Sequence, residues 1–439
     1  MVQEQMHDQP RIDLELEVTP VINYALHQNG ARLVHSITLV NRTGAEWSDL
    51  ELKISSTPGF SVPATKYITM LGADARFSLS DCAVSLDGAF LGSLTEKVTG
   101  ALQFSLEHQG TVLCTRDVEV TALAFDQWTG YGSYPELLTA FVTPNHPAIA
   151  KINARAAELL KQWGLSPALD GYMSKDPNRV MKMAGAVFGA LQEQGIVYAV
   201  PPASYDNQGQ RVRLCDTVLS QKMGTCLDLT LLYAGCLEAM GLHPLLILKQ
   251  GHIFAGVWLE EKTFPDAVID DRSAITKRMA KGVNEIAVVE CTLFTDGNSC
   301  SFDGARKSAE EQLLEPIEMI IDVQRARLSG ITPLPQRVPT EGGWTVVPRE
   351  DPIEVVGQEP EEMVDTVPTD DNAEPGALPK VSQWERKLLD LGLRNQLINL
   401  RLSKSTVPIL ATSLDELEDC LQEGREFSVL PRPQDWNLP

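Results

Sequence analysis

Strict alternation of apolar and polar residues opens the readable part of the chain. Ile12-Asp13-Leu14-Glu15-Leu16-Glu17-Val18 puts its apolar side chains on one face of an extended strand. Leu33 to Val40 predicts a second strand, stopped by Asn41-Arg42-Thr43-Gly44, and Leu50-Glu51-Leu52-Lys53-Ile54 a third, ended by Pro58-Gly59. Arg76 to Leu79, Ala101 to Leu106 and Thr111 to Val120 extend the series, with Gln109-Gly110 as a hairpin turn. No convincing amphipathic helix interrupts them. Short strands with turn signals at this spacing predict an antiparallel β-sandwich over residues 1–124.

The pattern changes near Ala124. Gln127-Trp128-Thr129-Gly130-Tyr131-Gly132 reads as a loop, followed by helices over Pro147 to Trp163 and Pro177 to Gln192, the second with Asp176 as its cap. Gly195 to Val200 predicts an apolar strand, and Pro201-Pro202 to Gly209 a loop. An apolar helix begins at Cys226 and is closed by Gly241. Leu245-Leu246-Ile247-Leu248 predicts a buried strand, and His252 opens another in which Phe254, Gly256 and Trp258 share a face. Helices are expected from Ser301 towards Leu314 and over Pro316 to Leu328. Residues 125–332 therefore read as an α+β domain. Residues 333–380 are rich in Pro, Asp and Glu without apolar periodicity, which predicts a disordered acidic linker. Trp384 to Asn399 has apolar residues at helical spacing, within a short helical segment over 381–439.

Composition narrows the function. A chain of 439 residues has room for two or three cores. Its net charge of −22 argues against a nucleic-acid groove spread over the surface and against anionic membranes. Eight cysteines fall without a pairing rhythm, and none joins a zinc-like cluster. With no secretory leader and no apolar run long enough to span a membrane, a reducing cytoplasm is expected, without disulfides, metal or cofactor. No phosphate-binding Gly-x-x-x-x-Gly-Lys loop occurs, so an NTPase is not expected in this chain.

One constellation carries chemistry. In Gly224-Thr225-Cys226-Leu227-Asp228 a turn delivers a thiol to the first turn of a helix, where the helix dipole favours thiolate. Gly251-His252 brings an imidazole to a neighbouring strand, where it could take the proton and return it. Cys226 and His252 are read as nucleophile and base. The ordered set of this motif, the helix end Glu238-Ala239-Met240-Gly241-Leu242 and Gly251-His252 with Trp258 downstream resembles the transglutaminase-like (papain-like) fold. That fold is shared by transglutaminases, peptide N-glycanases and several cysteine proteases. The resemblance implies a Cys-His-acid triad, with the acid on the next strand. Val288-Val289-Glu290-Cys291-Thr292 has the form of the family's acid string, with Glu290 in place of Asp. Asp270 and Asp271 are rivals, if Ala267-Val268-Ile269 is the adjacent strand. Gln221 occupies the place where papain-like proteases keep an amide donor for the oxyanion, and is a candidate for that role. Asp228, Cys236 and His243 read as structural.

Two further resemblances concern the ends of the chain. The N-terminal strands are similar to immunoglobulin-like modules attached to bacterial enzymes. The Trp384, Leu388-Leu389-Asp390-Leu391 and Arg394-Asn395 elements resemble the opening of an uncharacterised domain at the front of very large bacterial superfamily 1 helicases. This implies that the chain is the N-terminal piece of a longer protein. The expected function is then a cysteine hydrolase, foremost a protease, with a polypeptide substrate. The helicase region of the same full-length protein would be its partner, nucleic acid would bind only through that region, and the architecture is that of antiphage defence. The alternatives are a catalytically inactive docking module of the same fold, and acyl transfer to an amine in place of water.

Overall fold

The computed structural model describes residues 12–132, 134–200, 209–341, 343–347 and 413. Residues 1–351 form one compact unit and 352–439 another. The first is a mixed α/β body. Its N-terminal part runs β1 (Ile12–Val18), β2 (Val21–Ile22), α1 (Tyr24–Gln28), β3 (Val34–Asn41), β4 (Trp47–Thr57), β5 (Ala64–Leu71), β6 (Arg76–Ser78), α2 (Gly88–Ser93), β7 (Val98–His108) and β8 (Thr111–Ala122). These strands make a three-stranded sheet, β1-β3-β6, and a five-stranded sheet, β2-β8-β7-β4-β5. Pairing is antiparallel except for β2 beside β8.

The alternation seen in the sequence is what builds their shared core. Leu50, Leu52 and Ile54 of β4 are buried with Leu102, Phe104 and Leu106 of β7 and with Ile37 and Leu39 of β3. The expectation of an uninterrupted strand series is corrected by two helices. Each is capped by a side-chain oxygen, Asn23 accepting from Leu26 N–H at 2.9 Å and Asp87 from Phe90 N–H at 2.8 Å. At five and six residues they are too short to display a helical period. Strand β5 was also unannounced, because it is an edge strand whose Tyr67 and Met70 face solvent.

The rest of the unit comprises β9 (Gln127–Trp128), α3 (Pro147–Gln162), α4 (Pro177–Gln192), β10 (Val197–Tyr198), β11 (Gln210–Arg211), α5 (Cys215–Gln221), β12 (Met223–Gly224), α6 (Cys226–Ala239), β13 (Pro244–Lys249), β14 (His252–Trp258), β15 (Val268–Ile269), α7 (Ser273–Met279), β16 (Ile286–Val289), α8 (Phe302–Gln312), β17 (Met319–Asp322) and α9 (Val323–Leu328). A five-stranded antiparallel sheet, β15-β17-β13-β14-β16, is its frame. The run Leu245–Leu248 is apolar throughout because both faces of β13 are covered. Leu246 and Leu248 point into the core shared with the N-terminal strands, Leu245 and Ile247 into a second core under α3, α4 and α6. The expected strand over Gly195 to Val200 pairs only at Val197 and Tyr198, against β12.

Two expectations fail here. Pro316 to Leu328 is not one helix: Met319–Asp322 is strand β17, next to the central β13, and only Val323–Leu328 is helical. A three-residue apolar run such as Met319-Ile320-Ile321 cannot be told from a helical turn by period alone. Nor is the segment from Pro333 free of structure from its start. Leu334 is buried, with its N–H on Ala140 O at 2.7 Å. Strands β18 (Arg337–Thr340) and β19 (Gly343–Val346) then form a hairpin beside α2. Arg337 lies over the rings of Phe125 and Trp344 at 4.5 and 4.9 Å, so ring stacking holds a stretch whose apolar content is low. The acidic segment beyond Val347, the C-terminal helical run, the polar lead before Ile12 and the loop over 201–208 lie outside the described residues.

Candidate active site

The cysteine is placed by two turns of chain. Helix α5 ends at Lys222 in the left-handed conformation, φ 54°, and β12 follows at once. Gly224 admits no larger residue without movement, since a Cβ there would stand 3.0 Å from Leu229 Cδ2. Thr225 then caps α6: its hydroxyl accepts from Asp228 N–H at 3.3 Å while Asp228 Oδ2 accepts from Thr225 N–H at 2.9 Å. This reciprocal box satisfies two backbone donors and fixes the angle at which the helix starts. Asp228 also accepts from Arg213, N–H at 2.8 Å and Nη1 at 3.1 Å, so it is committed to structure. Cys226 is the first residue of a helix buried from Cys226 to Leu237. A helix apolar all round sits inside the protein, and only its end can present chemistry.

His252 is the first residue of β14, beyond a turn in which Gly251 has φ +69°. Helix α6 is pinned to that strand by Thr230 Oγ1, which donates to Ile253 O at 3.2 Å. Cys226 stands beside the imidazole on one side, close enough for its hydrogen bonding and charge to raise the ring's pKa. On the other, His252 Nε2 lies 2.7 Å from Glu290 Oε2. With Nε2 on the carboxylate, Nδ1 is the nitrogen left for sulfur. Glu290 follows β16, the strand next to β14, and is buried. Its Oε1 accepts from Thr292 N–H at 2.9 Å and Thr292 Oγ1 at 2.6 Å, and its Oε2 also accepts from Gln312 Nε2.

The electrostatics follow from these contacts. Burial works against a charged His252, but the bonds and charges of Cys226 and Glu290 outweigh it and push the imidazole up to about 9. Burial likewise opposes ionised Glu290, and the His252 and Thr292 donors nevertheless hold it below the usual carboxylate range. The two shifts agree on an ion pair, imidazolium against carboxylate. Cys226 is nearly enclosed at 4% exposure, whereas the His252 side chain is 21% exposed, so the site meets solvent at the imidazole.

The rival acids fall elsewhere. Asp270 and Asp271 are exposed and follow β15, at the opposite edge of the sheet from β16. The strand before them pairs with β17, not with β14, and Asp271 accepts from Ser273 N–H at 2.8 Å. Gln221 is the last residue of α5, with an exposed side chain. His243 Nδ1 lies 2.7 Å from Lys262 O, and Cys236 is enclosed in the second core. Two residues at the site were not anticipated. Tyr198 stands close enough to Cys226 for the thiol to raise its pKa, and Gln312 Nε2 donates to Glu290. No local motif announces either, since both arrive from distant elements.

Among the described residues, His146, Cys215 and Asp216 bring donor atoms within 4.8 Å of one another. Two of them are engaged already: His146 Nδ1 accepts from Ala148 N–H at 3.2 Å, and Thr143 Oγ1 lies 3.3 Å from Cys215 Sγ. Burial pushes the Cys215 thiol up to about 11, which opposes the thiolate a metal would need. The seven described cysteines are free thiols. Among the described residues no helix is long and apolar enough to cross a membrane.

Residues 387–438 match a family described as protein of unknown function, DUF4011. No curated protein and no solved structure matches the chain.

Proposed function

We propose that this chain is a transglutaminase-fold cysteine hydrolase, acting on polypeptide. One observation carries the reading: a single imidazole stands close enough to a thiol at a helix start for that thiol to raise its pKa, and lies 2.7 Å from a buried carboxylate. A structural histidine needs one such partner, whereas a base that must take a proton and be held in one tautomer needs both.

In this reading Cys226 sulfur attacks a carbonyl carbon. The S–C bond forms, the thiol proton resides on His252, and the carbonyl electron pair moves to oxygen. Collapse of the tetrahedral species breaks the C–N bond, and the imidazolium proton leaves with the amine. His252 then deprotonates water, which attacks the thioester, and sulfur departs with the proton returned to the pair. Glu290 orients the ring and stabilises its charge throughout. Water and an amine are both chemically competent in the second half, so product analysis distinguishes hydrolysis from acyl transfer.

The N-terminal sheets are assigned in the same proposal to an immunoglobulin-like module. The C-terminal segment is assigned to the region that precedes a superfamily 1 helicase, on its motif resemblance, with the hydrolase coupled to that helicase in a longer protein and antiphage defence as the setting. The test of the chemistry comes first. Cys226→Ala is expected to lose both labelling by a thiol-reactive peptidyl probe and peptide cleavage, and full activity in that variant overturns the assignment.

A further inference from the structure

A carbonyl attacked by sulfur needs donors for the negative charge that develops on its oxygen, and the first-turn N–H groups of α6 supply only the backbone half of such a hole. The chain delivers a side-chain candidate through a short parallel ladder. Strand β10 pairs with β12 so that Tyr198 stands opposite Gly224, two residues before the nucleophile. Val197 N–H on Lys222 O at 2.9 Å and Ala199 N–H on Gly224 O at 2.8 Å fix that register. The half-buried ring packs against both cores, and the phenol is close enough to Cys226 for that thiol to raise its pKa.

We propose that Tyr198 is the side-chain donor to the oxyanion, a catalytic residue of the acyl transfer assigned to Cys226, and this rests on that assignment. A phenol held beside the sulfur by that register is also near the oxygen of whatever carbonyl carbon that sulfur attacks. When the S–C bond forms, charge leaves sulfur for oxygen, and the O–H turns from the one to the other without breaking the ladder that carries it. Burial first, then the charges of Cys226 and Glu290, push the phenol up to about 12, so it keeps its proton at neutral pH and donates. Gln221, the amide expected from sequence in this role, has an exposed side chain at the end of α5.

Tyr198→Phe keeps the ring and removes the donor. Two probes separate the possible roles: p-nitrophenyl acetate, whose acylation of sulfur passes through an oxyanion, and iodoacetamide, which loses iodide from a saturated carbon and forms none. The expected result is a fall of about 10²-fold in Cys226-dependent acylation, the usual loss for one such donor, with alkylation at the wild-type rate. Equal rates for wild type and variant with both probes overturn the proposal. So does a rise in both, which makes the phenol a latch on the sulfur, and so does a parallel fall in both, which makes it structural. Failure of the nucleophile assignment appears separately: wild-type acylation that survives Cys226→Ala sinks that reading before Tyr198 is touched.

Discussion

Both oxygens of Glu290 are committed, Oε1 to Thr292 and Oε2 to His252 and Gln312. The longer acid therefore does not flex. Its extra methylene is absorbed by its capping of the short 3-10 turn Cys291–Phe294. Glu290→Gln preserves shape but offers an amide where a charge was, and one of its two groups can no longer accept. The variant imidazole is expected to titrate well below the wild-type value of about 9, towards the ordinary 6.5, in an NMR titration of His252. Because the wild-type value is raised, the charged ring stabilises the fold fully below about 6.5 and loses that contribution as pH rises through about 9. The variant lacks this window. Cys226-dependent kcat/KM is expected to fall by about 10²- to 10⁴-fold, as when a triad acid is made an amide. An unshifted imidazole would remove Glu290 from the proposed triad.

At the scale of elements, the sheet that carries His252 is closed beneath by a residue the sequence did not announce. Asp322 ends β17 and is fully buried; its Oδ2 accepts from Trp258 Nε1 at 3.1 Å and Phe264 N–H at 2.8 Å, and its Oδ1 from Arg325 N–H at 2.9 Å. In Asp322→Asn the amide NH2 must face at least one donor: with its oxygen kept on Trp258 and Phe264, the NH2 meets the Arg325 N–H. The expected cost is about 1–3 kcal/mol in urea unfolding, the range for leaving a buried donor unmet. A change within experimental error would show that the strand end does not depend on this hub. The same element marks where sequence reading stopped. Alternating strands such as Ile12–Val18 and Leu50–Ile54 were legible because each has one wet face. The helix from Cys226 and the strands over Leu245–Leu248 and His252–Trp258 were legible from their caps and turns. Strand β17 was not, because burial on both faces erases periodicity in four residues, although Asp322 stands as the N-cap of α9 and marked the boundary. In the candidate site, Cys226, His252 and Glu290 lie on motifs that keep their residues close in sequence. Tyr198 and Gln312 reach it only through tertiary pairing, which no local spacing encodes.

For the whole unit, the question is whether the N-terminal sheets and the α+β part are separable. The segment where the sequence changes character is buried, with Leu123, Ala124, Phe125 and Trp128 inside. One apolar core runs from Leu52 and Phe104 through Phe125 to Leu227, Leu231 and Leu246. Polar ties cross the same boundary: Asn23 Nδ2 donates to Gln127 O at 2.8 Å, and Arg211 bridges Asp126 and Glu96 at 3.1 Å. Gln28 Nε2 donates to Thr332 Oγ1 at 2.7 Å, and Asn29 Oδ1 accepts from Thr332 N–H at 2.8 Å, which fastens the end of the α+β part to α1. Independent domains meet at exposed linkers where few contacts cross, and this junction has the opposite character. Residues 1–347 are therefore expected to unfold in one transition, with tryptophan fluorescence and far-UV circular dichroism superimposing in urea. Fragments ending at Ala124 or beginning at Phe125 should expose this core and aggregate. Two resolved transitions, or two monomeric folded fragments, would mean that the shared core is an interface and not a foundation. Anchoring of the α6 start in that core also predicts that loosening the N-terminal sheets, as Leu52→Ala or Phe104→Ala would, costs Cys226 its labelling rate even though neither residue belongs to the candidate site.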